Sequence, residues 1–395
     1  MKAIRVVGSV PLFVLLVLLG HAGVANAAEP RARDLGIPFD GTPGTLNAIT
    51  DVAGVTVGQH TIIRDLPDNR AVRTGVTAVL PRGRATSNKP VFAAWFPLNG
   101  NGEMTGTAWV DESGFLEGPV LITNTHSVGA VHQAAIRWRV QQGSADDSGY
   151  WWSLPVVAET WDGYLNDVNG FHVQDEHVFA ALEDARGGAV AEGNVGGGTG
   201  MICHEFKCGI GTASRLVALD DGTFTIGVLV QANYGLRDTL RIAGVPVGQI
   251  LTEHRLYAGM PGPAAEQGSI IIVVATDAPL LPHQLERLVK RAALGVARVG
   301  GTAGNGSGDI FIAFSTANEN AGQTGPVMPV RMLANDNISP LFQGTVEATE
   351  EAIVNALIAA RDMTGDQGHT AYAIDHDALL RVLREYRRLN EPAGG

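Results

Sequence analysis

Two hydrophobic periods alternate along this chain. Short, largely apolar runs, most of them rich in β-branched residues, occupy positions 75–80, 91–96, 120–123, 224–230, 269–275 and 310–314. Runs of this length and composition are predicted to be strands, several of them buried on both faces. Elsewhere apolar residues recur every three and four positions. Segment 282–299 aligns Leu285, Leu288, Val289, Ala292, Ala293 and Val296 on one stripe. Segment 349–361 does the same with Ala352, Ile353, Ala356, Leu357 and Ala360, with acids in its first turn and Gly365 beyond its end. Segment 377–386 begins with an acid and carries Leu379, Leu380, Val382 and Leu383, and 128–140 is a fourth candidate. These spacings predict helices. Strands mixed with helices, without internal repeats, make an α/β protein of one large domain or two ordinary ones.

The N-terminus departs from this pattern. Lys2 and Arg5 precede an apolar run at 10–19, and Ala25-Asn26-Ala27 is a small-x-small cleavage site. This is the form of a secretory signal peptide, residues 1–27, and predicts export to the periplasm or the medium. The run is short for a membrane span, and no later segment is long and apolar enough for one, so no membrane partner is expected after its removal. Without residues 1–27 the cations fall from 28 to 26 against 40 acids, and the formal charge goes from −12 to −14. An acidic chain argues against nucleic acid, whose binding rests on Lys and Arg at phosphates.

The chemistry-bearing residues exclude several classes. Glycine, 50 residues in all, clusters at 99–102, 196–200, 209–211 and 300–308. The stretch 193–201 has neither a P-loop ending nor Rossmann spacing. Gly304-Asn305-Gly306-Ser307-Gly308 places Gly directly before the Ser, which misses the nucleophile elbow. The histidines at 60, 126, 132, 172, 177, 204, 254, 283, 369 and 376 show no triad order. Cys203 and Cys208, six residues end to end, fit buried thiols or a small-loop disulfide. A metal reading through Cys203, His204 and Cys208 lacks a second ligand pair. Neither a metal nor an organic cofactor is expected.

One junction is different. Gly268-Ser269 opens the apolar run 269–275 and follows a Pro/Gly/Ala-rich stretch, 259–268, that reads as a nickable linker. Gly-Ser before a strand is ordinarily a turn. If the bond is cut, Ser269 becomes an N-terminal residue carrying both a hydroxyl nucleophile and an α-amine able to serve as its base. Ser307 and Asp309, at the mouth of the run 310–314, are candidates to orient that amine or the Ser269 hydroxyl. Asn233, after the run 225–232, is a candidate oxyanion donor. Glu159, ending an apolar run in the stretch 154–163, is a candidate partner for a substrate ammonium. Each also has an ordinary reading as a turn, cap or surface residue.

Stretches 31–41 (RARDLGIPFDG), 99–106 (NGNGEMTG), 121–129 (LITNTHSVG), 192–201 (EGNVGGGTGM), 209–215 (GIGTASR), 228–235 (VLVQANYG), 268–280 and 307–309 resemble the DmpA-type L-aminopeptidase/D-esterase family, which includes the β-peptidyl aminopeptidases. The resemblance spans nearly the whole mature chain. It implies a precursor that cuts itself between Gly268 and Ser269 into an α chain (28–268) and a β chain (269–395) of one peptidase domain. It implies an αββα sandwich assembled as a tetramer of αβ units. The family's later Ser and acid, 38 and 40 positions after the nucleophile, fall on Ser307 and Asp309. The oxyanion Asn falls on Asn233, and the amine-binding acid on Glu159, 74 positions earlier. Two departures stand out: some members carry Glu where this chain has Asp309, and some carry Tyr where it has Trp161. Tyr150 and Tyr164 are other sources of the missing hydroxyl.

The expected activity is an exported, self-processing serine aminopeptidase acting on short peptides, amino-acid amides or esters with L-, D-Ala or β-amino residues. An ornithine acetyltransferase-like acyl transferase normally has Thr at the position of Ser269 and stays cytoplasmic. A non-enzymatic exported binding protein remains as a contrasting class.

Overall fold

The computed structural model describes residues 30–86, 89–143, 152–220, 222–256, 266–322 and 326–390. The segment read as a signal peptide and Tyr150 lie outside these, as does most of the stretch read as a linker. The strands are β1 (Thr56–Asp65), β2 (Ala71–Leu80), β3 (Val91–Gly100), β4 (Phe115–Leu116), β5 (Val120–Asn124), β6 (Val156–Thr160), β7 (Ile202–Cys203), β8 (Phe206–Lys207), β9 (Ile210–Leu219), β10 (Gly222–Asn233), β11 (Gln267–Thr276), β12 (Gly306–Ser315), β13 (Met363–Thr364) and β14 (Thr370–Ala371). The helices are α1 (Thr107–Ser113), α2 (Val128–Gln141), α3 (Asp175–Glu183), α4 (Val247–Ile250), α5 (Pro282–Val289), α6 (Ala292–Val299), α7 (Ser339–Ile358) and α8 (His376–Glu385).

Ten strands form two sheets. One has the order β1-β2-β5-β6, the other β4-β3-β12-β11-β10-β9. Alternation along each strand sends one set of side chains between the sheets and the other outward. Ile271, Val273, Ile310, Ile312 and Phe314 meet Val79, Ile122, Val156 and Ala158 in the core between the sheets. Ile270, Ile272, Val274, Phe311 and Ala313 face outward against α5, α6 and α7. Val76, Ala78, Leu121 and Val157 pack on α2 and α3. The layers are therefore αββα, as the resemblance implies.

The helices begin and end where local chemistry sets them, in places not where periodicity put them. The stripe 282–299 is two helices rather than one. The guanidinium of Arg291 donates to the Arg287 carbonyl (2.7 Å), and the Leu294 amide turns back to the Arg291 carbonyl, so the helical ladder is interrupted between them. α7 starts ten residues before the predicted 349. Gly344 and Thr345 interrupt the apolar stripe before 349, and the Thr345 and Thr349 hydroxyls bond to carbonyls four residues back (2.9 and 2.7 Å), which satisfies them inside the helix. α8 is capped by Asp375, whose carboxylate accepts from the Ala378 amide. The strands run longer than their apolar cores. Asn233, Ser307 and Asp309 lie within β10 and β12 rather than beyond them. Gln267 and Gly268 belong to β11, so strand pairing crosses the Gly268–Ser269 peptide, where a loose linker was expected.

Candidate active site

The central strands bring the candidate residues together by register. Ser269 pairs with Asn233 across the antiparallel β10–β11 contact. On its other side the parallel β11–β12 contact sets Gly268 beside Ser307 and Ser269 beside Gly308. Gly268 has φ +129°, and a methyl group there would sit 2.1 Å from the Asn233 carbonyl oxygen. Only glycine fits this approach.

A cavity of about 590 Å³ opens over these residues, and its wall includes Ser269, Asn233, Glu159, Trp161, Tyr164 and Ile202. Asn233 is anchored from behind: its Oδ1 accepts from the Ile202 amide (2.9 Å). This fixes the side-chain amide and leaves its NH₂ uncommitted, the requirement for a donor aimed at developing negative charge. Ile202 belongs to the β7–β8 hairpin, which is closed by a Cys203–Cys208 disulfide.

Glu159 is almost wholly buried. Its Oε1 accepts from the Glu103 amide (3.1 Å), and its Oε2 from the Thr125 hydroxyl. Burial pushes its carboxyl above the usual range, and these two hydrogen bonds only partly offset that. A desolvated carboxyl held this way gains most from a cation brought to it. Thr125 and Glu103 were not singled out from the sequence, although both lie in stretches that carry the family resemblance, LITNTHSVG and NGNGEMTG.

Ser307 and Asp309 are placed differently. The Ser307 hydroxyl donates to Asp309 Oδ1 (2.6 Å), and both residues are fully buried. Neither lines the cavity. By strand alternation they share the helix-side face with Phe311, whereas Ser269 shares the inter-sheet face with Ile271. The pair thus flanks the backbone of the Gly268–Ser269 peptide from behind, not the Ser269 hydroxyl. Burial, reinforced by the nearby charge of Glu266 and opposed by the Ser307 hydrogen bond, raises the Asp309 carboxyl to about 6. Of the tyrosines considered as sources of a hydroxyl, Tyr164 is on the cavity wall. Trp161 is on it too, roughly half exposed. Among the described residues no cluster of His, Cys, Asp and Glu is arranged to hold a metal ion.

Comparison with known proteins identifies the family. The family model "Peptidase family S58" matches residues 47–371. A β-peptidyl aminopeptidase, BapA, of Sphingosinicella microcystinivorans is 52% identical over 382 residues, covering 93% of this chain and 95% of that protein. The BapA of Sphingosinicella xenopeptidilytica is 48% identical, covering 95% and 96%. Among solved structures, the L-aminopeptidase D-Ala-esterase/amidase of Ochrobactrum anthropi superposes with a TM-score of 0.85 at 50% identity, over 91% of this chain and all of that one. That structure is described as a prototype for the serine aminopeptidases and a variant of the Ntn hydrolase fold. A Burkholderia sp. β-aminopeptidase superposes with a TM-score of 0.82 at 50% identity, over 90% and 99%. The chain belongs to peptidase family S58, with the Ntn-hydrolase-like sandwich of its relatives, and is a hydrolase that acts as an aminopeptidase.

Proposed function

We propose that this protein is exported as a precursor, cuts itself between Gly268 and Ser269, and then removes N-terminal residues from short peptides, amides or esters through an acyl-enzyme on Ser269. The observation that carries this reading is the register of β10, β11 and β12, which sets Ser269 against Asn233 in a cavity that also holds the buried carboxyl of Glu159. Names of the relatives support β-amino residues as substrates, and an assembly of four αβ units accords with the family resemblance.

In the precursor the Ser269 hydroxyl attacks the Gly268 carbonyl carbon. The C–N bond breaks, an ester to Ser269 forms, and the α-amine is released. Water then hydrolyses the ester and leaves Gly268 as a new carboxyl terminus. No α-amine exists before this step, and Asp309 and Ser307 stand behind the peptide rather than at the hydroxyl, so a water between Ser269 and Ser307 would carry the hydroxyl proton towards Asp309, the carboxylate beside the bond.

In the mature enzyme Glu159 holds the substrate ammonium, which places the first carbonyl over Ser269. The α-amine of Ser269 takes the hydroxyl proton as the C–O bond forms. Asn233 donates to the oxyanion, a role worth about 3–4 kcal/mol in the transition state. Collapse breaks the C–N bond, and the proton passes to the leaving amine. Water releases the acid and restores Ser269.

Intact mass of purified wild type beside Ser269→Ala tests the reading. The expected result is two wild-type fragments meeting at Gly268/Ser269 and one uncut mutant chain. An uncut wild type that still hydrolyses an alanine p-nitroanilide would move the nucleophile elsewhere.

A further inference from the structure

The residues just before the proposed cut carry an arrangement that the peptidase reaction does not use. Glu266 stands two residues before Gly268 yet is almost fully buried. Its Oε2 accepts from the Thr302 amide (2.8 Å) and from the Thr302 hydroxyl. Its backbone is gripped by the same loop: a methyl group on Gly304 would lie 2.4 Å from the Glu266 carbonyl oxygen. That loop is itself tied to β3, because the Asn99 side-chain amide donates to the Ala303 carbonyl (3.3 Å) and to that of Gly304. Beyond this clasp, Gln267 pairs with Gly306 and Gly268 with Ser307. The second oxygen of Glu266 has no hydrogen-bond partner, and its carboxyl and that of Asp309 interact electrostatically. A buried acid bonded to a loop threonine, at the end of a strand that could simply fray, is out of proportion to holding a linker.

We propose that Glu266, clasped by Thr302, is a positioning residue for self-cleavage: it keeps residues 266–268 registered between β10 and β12 so that the Gly268 carbonyl stays within reach of the Ser269 hydroxyl. This gives the glycine-rich loop 300–305 a task in maturation. It rests on the self-processing reading above. Once the peptide is cut, residues 266–268 become a chain end, and the clasp has no part in turnover.

The test follows processing of the full-length chain over time by intact mass, for wild type, Glu266→Ala, Glu266→Gln and Thr302→Val. Aminopeptidase activity is then measured per free Ser269 N-terminus. Glu266→Ala is expected to slow processing by about tenfold or more, the scale of a lost charge-assisted hydrogen bond. Glu266→Gln keeps an acceptor oxygen for Thr302 and should process within about threefold of wild type, while Thr302→Val falls between. Activity per free Ser269 should match wild type in all that mature. Each substitution is also placed in the uncut Ser269→Ala background, where melting reports folding alone. If Glu266→Ala does not fold, the glutamine and valine variants decide the matter. Wild-type processing rates in Glu266→Ala, or equal slowing in the alanine and glutamine variants, would overturn the clasp. A wild type that never cuts itself would instead overturn the self-processing reading beneath it.

Discussion

Glu159 and Asn233 sit on the same cavity wall for opposite electrostatic reasons. In the proposed reading, Glu159 is a desolvated carboxyl that receives a cation, and Asn233 is a neutral donor held still for an anion that exists only in passing. Their substitutions should therefore fail differently. Asn233→Ala removes an interaction made only in the transition state, so kcat should fall by about 10²–10³ with KM little changed. Glu159→Gln keeps the shape and the acceptor for Thr125 but loses the charge. It should raise KM for substrates with a free amine and narrow the preference over N-capped ones. Steady-state kinetics on paired free and N-acetylated substrates separates the two. Asp309 gives a third test. With its carboxyl raised to about 6 in the uncut chain, it is protonated, and no longer a proton acceptor, as pH falls through that value. The rate of self-cleavage should therefore drop between about pH 7 and 5, and Asp309→Asn should abolish that dependence along with most of the rate. The sequence pointed to Ser269, Asn233 and Glu159, and these do line one cavity, but the face of the sheet was not legible in it. A strand puts neighbours on opposite sides, and only the register shows that Ser307 and Asp309 stand behind the peptide instead of in the cavity.

At the scale of elements, the β7–β8 hairpin is the support that sequence alone left open. His204 and Glu205 adopt positive φ (49° and 62°), which gives the tight reversal. The disulfide then closes the hairpin from outside, and the Ile202 amide at its start grips Asn233. Cys203 and Cys208 fitted free thiols equally well on paper, since spacing alone does not fix their geometry. A loop this short constrains the unfolded chain modestly, by about 2 kcal/mol. Replacing both cysteines with Ala should lower the melting temperature by about 2–3 °C. It should also reduce kcat more than it affects KM, because Ile202 and hence the Asn233 donor are less firmly held. A melting shift with unchanged kcat would limit the hairpin to stability. Other elements were missed for a shared reason. β1 and β9 interleave polar residues, and in β9 Thr212, Ser214 and Arg215 are buried. Periodicity scores such strands as loops because it cannot see the partners that satisfy them: Thr212 donates to the Val228 carbonyl, Ser214 to Asp51, and Arg215 pairs with Glu351 (2.8 Å). The uninterrupted runs of β11 and β12 needed no such knowledge.

The whole molecule bears on what a cut at Gly268 would release. The strands after the cut, β11 and β12, are neighbours, and they lie between β10 on one side and β3 on the other. Both flanking strands precede the cut. The later helix α7 packs across β9 and β10, and the N-terminal arm reaches forward to meet it. Arg33 forms a two-pronged ion pair with Glu351 of α7 (2.8 and 2.9 Å), Arg215 adds a second cation, and the Ala32 amide donates to Asn355 (3.0 Å). Two chains interleaved in this way share one core, so cleavage should leave a single species that separates only on unfolding. Size-exclusion of the cut protein at neutral pH should show both fragments co-eluting. Glu351 gives this seam a pH signature. Burial opposes its ionisation, but Arg33 and Arg215 outweigh that and hold its carboxyl below the usual range. A depressed carboxyl adds stability above its unfolded value, and that stability is lost as pH falls through the lower folded one. Arg33→Ala should therefore cost on the order of 2 kcal/mol at neutral pH, less than a fully buried break because the Arg33 side chain is 29% exposed. The gap between wild type and variant should narrow as pH falls below the ordinary carboxylate range. Denaturant melts at pH 7 and pH 3 would show it, and a gap that did not narrow would mean the arm is held by packing alone.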